Sequence, residues 1–105
     1  MSSLSRQAFL MKLKPGAEAE YAVRHDQIWP DLVTALKAAG ISNYSIFRRD
    51  LDLFGYLECS DMAALERLPQ EPVMQRWWAA MADLMDTHPD HRPVQVQLGE
   101  VFHLD

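Results

Sequence analysis

Residues 7 to 14 read QAFLMKLK, and Phe9, Met11 and Leu13 fall on one side of an alternating pattern. That period of two predicts a first strand. Lys14-Pro15-Gly16-Ala17 is a turn signal. Beyond it Tyr21, His25, Ile28, Leu32 and Leu36 recur at steps of three or four residues. They predict one helix running to about Ala39, with Glu18 and Glu20 near its positive end and Gly40 as its stop. Pro30 lies inside that stretch and is expected to kink it. ISNYSIFRR (41–49) and LDLFGYLEC (51–59) predict the two strands of a hairpin about Arg49-Asp50-Leu51-Asp52. Ser60 or Asp61 is the expected cap of a short helix over 62–68, interrupted by Pro69 and Pro72. A longer helix follows from Val73 to about Met85. DTHPDHRP (86–93) reads as a polar loop. VQVQLGEVFHL (94–104) alternates again as a last strand, with Gly99 a candidate bulge.

The resulting order, β-α-β-β-α-β, is that of an α+β ferredoxin-like unit, an antiparallel sheet with both helices on one face. No repeat or linker divides residues 1–105, so one domain is expected. The second sheet face also carries apolar side chains, and in so small a domain it needs cover. A homodimer, two such sheets packed as a dimeric α+β barrel, is the expected assembly. Hydrophobic residues make up 49% of the chain, enough for a core and too many for a disordered segment. A net charge of −5 with no basic cluster argues against nucleic acid or an anionic membrane as partner. One cysteine, Cys59, cannot form an internal disulfide, and it reads as a small buried residue. The polar leader MSSLSRQ lacks a signal peptide's apolar region, and no run is long enough to span a bilayer. The expected location is the cytoplasm.

Chemistry concentrates in few places. His25 sits uneasily in an apolar stripe, because a buried imidazole must find hydrogen-bond partners. It is either a core histidine satisfied by a nearby carbonyl or part of a pocket. Pro30, one turn on, bends the helix either around that pocket or along a twisted sheet. In VMQRWWAAM, Trp77 and Trp78 point about 100° apart, so one suits the core and the other either the core or a pocket edge. Tyr44, by alternation, shares a strand face with Ser42 and Ile46, opposite Ile41, Asn43 and Phe47. His88, His91 and His103 lack further ligands at metal-binding spacing. Phosphate loops, dinucleotide fingerprints and serine or cysteine nucleophile motifs are absent from the sequence.

Taken together, EYAVRHDQIWPDL, GISNYSIF, MQRWWAAMADLM, the HPD of 88–90 and the closing EVFHL resemble the L-rhamnose mutarotase family, in the family's order and over nearly the whole chain. The resemblance implies interconversion of the α and β anomers of L-rhamnose, without cofactor, by a dimer of ferredoxin-like subunits. It places the proton donor on His25 and substrate contacts on Tyr21, Tyr44, Trp77 and Trp78. The longer leader and the trimmed hairpin turn depart from the family pattern, but at no matched residue. Two rivals share the scaffold. One is a cofactor-free monooxygenase of antibiotic-biosynthesis type, which would consume oxygen. The other is a sugar-binding dimer that does not turn its ligand over.

Overall fold

The structure is a computed structural model that describes residues 4–105; residues 1–3, the start of the polar leader, lie outside it. Strand β1 spans Ser5–Lys12, two residues ahead of the predicted span. Helix α1 (Glu18–Asp26) and helix α2 (Pro30–Ala38) replace the single kinked helix that the periodicity predicts. The reason is Pro30. It takes the first position of α2, where a missing N–H costs nothing, and it holds Trp29 extended at ψ 131°. The proline therefore starts a helix rather than bending one.

Strands β2 (Ile41–Arg49) and β3 (Asp52–Cys59) form the expected hairpin, with Asp50 at positive φ in the turn. Asp61, not Ser60, caps helix α3 (Met62–Arg67), its carboxylate accepting from the Ala64 N–H at 3.1 Å. A 3-10 turn over Leu68–Gln70 leads into helix α4 (Pro72–Met81), again opened by a proline. A second 3-10 turn, Ala82–Leu84, ends that helix short of the predicted Met85, which forms a bridge to Leu13.

All strand pairings are antiparallel and the sheet order is β2-β3-β1-β4, with β4 formed by Val96–Leu98. Phe9, Met11, Leu13, Leu53 and Leu57 face the helices and meet Leu32, Met74, Trp77 and Met81 in one core that also encloses Cys59. Leu13, Leu32, Leu53 and Met81 are nearly inaccessible. The opposite sheet face is uncovered: Phe47, Phe54, Val96 and Leu98 expose between 40% and 67% of their surface.

Two sequence expectations fail in this sheet. The register slips between Ser42 and Ser45, with Asn43 at φ 49°. That extra residue reverses the alternation. Ile41 and Ile46 consequently pack on the same core side, although strict alternation puts them on opposite faces. The last strand stops at Leu98, and Gly99 marks its end rather than a bulge. Beyond it Arg6 of β1 holds the chain through a side-chain pair with Glu100 at 2.6 Å, and Val101, Phe102 and Leu104 stand exposed. Alternation alone cannot say whether an extended segment finds a neighbour to pair with. Among the described residues, no helix is long and apolar enough to cross a membrane.

Candidate active site

The end of α1 supplies Tyr21 and His25, one turn apart. Their rings lie 4.3 Å apart between centroids, tilted by 35°. His25 Nδ1 sits 3.1 Å from the carbonyl oxygen of Tyr21. A carbonyl only accepts, so in this contact Nδ1 carries the proton. Trp77, from the buried face of α4, meets the imidazole edge-on at 5.3 Å and 87°. Trp29 meets Trp77 the same way at 5.2 Å and 85°. The break before Pro30 thus has a site consequence, because it turns Trp29 onto the indole that touches His25.

Arg24 fastens α1 to the end of α4. Its guanidinium donates to the Ala80 carbonyl at 2.6 Å, to Asp83 at 2.7 and 3.2 Å, and to Glu20 at 3.0 Å. On the sheet side, the bulge of β2 places Tyr44 beside Phe9, with ring centroids 6.3 Å apart and nearly perpendicular. Phe9 in turn lies directly over Gly55, where a Cβ would come within 2.4 Å of the ring.

Burial is the main force on the titratable groups. It holds the His25 imidazole below its usual pKa, against the opposing pull of the Tyr21 carbonyl and Asp26. It raises the Tyr21 phenol, with the Tyr44 phenol a second cause, and it raises Tyr44 as well, although that residue leaves 38% of its surface exposed. Both phenols are therefore protonated at neutral pH and act as hydrogen-bond donors. The Tyr21 hydroxyl, His25 Nε2 and the Trp77 indole N–H have no partner among the described residues, and none is sealed from solvent. Three polar groups of differing character thus lie without a protein partner, among the described residues, within one aromatic cluster.

Trp78 stands apart from that cluster. It is half-buried on the next face of α4, with the Arg92 guanidinium 5.8 Å from its ring centroid. It borders a concavity of about 370 Å³ that also takes in Gln75, Asp90 and His91. A second concavity of about 210 Å³ lies between α2 and α3. His25 borders neither.

The structure therefore joins Tyr21, His25 and Trp77, sets Tyr44 alongside, and leaves Trp78 facing a different hollow. Sequence reasoning missed Trp29, Phe9 and Arg24 as neighbours of the site. The pre-proline position of Trp29 was a usable signal. Arg24 showed only its local partner Glu20. Among the described residues, no group of three or more His, Cys, Asp or Glu side chains is placed to hold a metal ion.

The chain is similar to known proteins over nearly its whole length. The family model for L-rhamnose mutarotase matches residues 6–104. The L-rhamnose mutarotase of Mesorhizobium japonicum is 56% identical, covering 92% of this chain and 94% of its own. That of Rhizobium meliloti is 52% identical over 96% and 99%. The crystal structure of the L-rhamnose mutarotase from Formosa agariphila superimposes with a TM-score of 0.87 at 40% identity, covering 96% of this chain and 99% of its own. A putative antibiotic biosynthesis monooxygenase from Caulobacter crescentus gives a TM-score of 0.65 at 21% identity, a likeness of fold alone. With a family match from residue 6 to residue 104 and relatives this similar over nearly their full length, the chain belongs to the L-rhamnose mutarotase family.

Proposed function

We propose that this protein interconverts the α and β anomers of L-rhamnopyranose by opening and reclosing the ring, a cofactor-free isomerase acting as a cytoplasmic homodimer of single-domain subunits. Family membership supports the activity. The observation that carries the site assignment is the contact set of His25, an imidazole held by the Tyr21 carbonyl and the Trp77 edge with its other nitrogen open.

Anomers exchange through the open-chain aldehyde. The ring oxygen O5 must gain a proton as C1–O5 breaks, and the anomeric hydroxyl must lose one. His25 is the proton donor to O5. Help of this kind is worth about 10²–10⁴-fold. Tyr21 and Tyr44, protonated at neutral pH, donate hydrogen bonds that fix the hydroxyls. Trp77 and Trp78 cover the C–H face and the methyl group, which requires the sugar to reach past Trp77 toward the hollow beside Trp78. Rhamnose lacks a 6-hydroxyl, and an apolar wall there disfavours sugars that have one by about 1–3 kcal/mol.

The dimer reading rests on the uncovered sheet face around Phe47, Phe54, Val96 and Leu98. Phe54→Glu is expected to yield monomers in sedimentation, and a native monomer at micromolar concentration defeats this part of the reading. The activity is tested by saturation-transfer NMR between the two anomeric proton signals, with L-rhamnose, L-fucose and L-lyxose side by side. Faster exchange with L-rhamnose, lost in His25→Ala, is expected. Binding without faster exchange removes the enzymatic reading, and unchanged exchange in the variant removes His25 from the mechanism.

A further inference from the structure

The proton that His25 gives to O5 must come from somewhere, and the geometry of the ring restricts the source. Nδ1 is occupied by its donation to the Tyr21 carbonyl at 3.1 Å. Neutral imidazole carries one N–H, so Nε2 then holds a lone pair and accepts. That nitrogen has no partner among the described residues and is not sealed off. The ring itself is braced by Tyr21 at 4.3 Å and by Trp77 edge-on at 5.3 Å, contacts that accompany the seating of Nδ1 at the Tyr21 carbonyl.

We infer that Nε2 of neutral His25 is both base and acid, taking the anomeric proton from O1 and returning it to O5. This rests on the mutarotase reading and goes beyond it by naming the base. In opening, Nε2 takes the O1 proton, the O1 electrons form the C1=O1 bond, the C1–O5 bond breaks, and the imidazolium protonates O5. After the carbonyl rotates, Nε2 takes the proton back from O5. O5 attacks the other face of C1, and O1 is reprotonated. The imidazole ends neutral, so atoms and charge balance with no further reactant.

The groups around the imidazole agree. Burial favours its neutral form, opposed by Asp26 on its own helix and by the Tyr21 carbonyl. From β2 the Tyr44 phenol acts on that of Tyr21, and both phenols are raised, which removes them as bases near neutral pH. From α4 the ring meets Trp77, which does not titrate. Arg24 turns its charge to Asp83 and Glu20.

Two measurements on the intact protein test this. Long-range nitrogen–proton NMR on histidine labelled with ¹⁵N, assigned by difference from His25→Gln, should show the Nδ1–H tautomer for His25. The exchange rate per enzyme at low L-rhamnose should fall about tenfold per pH unit below the His25 titration and stay level above it, toward pH ~9. Tyr44→Phe should lower the rate without moving that midpoint. An Nε2–H tautomer, a rate that rises as pH falls, or a rate still climbing into the phenol range each overturns the inference. Absence of exchange at every pH defeats the mutarotase reading itself, whereas exchange that persists with the wrong tautomer or pH profile defeats only the proton route.

Discussion

Replacing Gly55 with alanine perturbs the site from behind. Gly55 is buried in β3 and pairs with Phe9 of β1, whose ring lies across it. An alanine Cβ would stand 2.4 Å from two ring carbons and 3.0 Å from a third. Non-bonded carbons settle at about 3.5–4.0 Å, so the ring has to retreat by about 1 Å or more. It has little room, being 4% exposed and packed edge-on against Tyr44. Overpacking of this kind costs about 1–3 kcal/mol. The gain from removing a strand glycine, about 0.5–1 kcal/mol, offsets part of that. The net expectation is a loss of about 1–2 kcal/mol, or a Tm lower by about 4 °C or more per kcal/mol for a domain of this size. Urea and thermal unfolding read the loss. The anomer-exchange rate reads the displacement of Tyr44. Phe9→Leu in the Gly55→Ala background should recover part of the stability, with a coupling of about 0.5–3 kcal/mol. A Gly55→Ala protein as stable as its parent would refute the placement of the Phe9 ring over this glycine.

Other outcomes follow from the same structure. Asp61→Ala removes the cap on the Ala64 N–H and should lower stability by about 1 kcal/mol in urea unfolding, with little effect on exchange kinetics. Trp77→Ala should cost about 3–5 kcal/mol, as for a buried tryptophan, and Trp78→Ala clearly less, so unfolding midpoints rank the two indoles. The His25 pKa is lower in the folded chain than in the unfolded one, so below pH ~6.5 the unfolded chain binds a proton that the folded one resists. This contribution to stability is complete above pH ~6.5 and is lost as pH falls through that value toward the folded pKa. The urea midpoint should drop between pH ~7.5 and ~5.5, and by less in His25→Gln.

Much of the fold was legible along the chain. The period-two and period-three-to-four patterns placed the first three strands and every helical region, and the breakers at Gly40, Pro69 and Pro72 fell at real boundaries. Local grammar failed where two local readings were equally allowed. Pro30 kinks a helix or begins one, and Trp29 packing on Trp77 accompanies the second outcome. Alternation through β2 counts every residue, and a bulge at Asn43 adds one that no local signal announced. The tail alternates like a strand, yet among the described residues only Val96–Leu98 pairs in the sheet.

For the site, the residue types and the run Tyr21 to His25 were enough to mark the cluster and, with Trp77 and Trp78, to point to the family. Which tryptophan meets the imidazole was decided by how α4 seats against α1. The Arg24–Asp83 tie, fifty-nine residues apart in sequence, belongs to the same seating. So does the direction of the His25 pKa, because burial is a property of the packed neighbourhood and not of the tripeptide around the residue. Sequence by itself determined what each segment tends to form and which groups can move a proton. The tertiary structure decided which of those groups meet, since periodicity acts within a few residues while contact and desolvation depend on elements brought together from opposite ends of the chain.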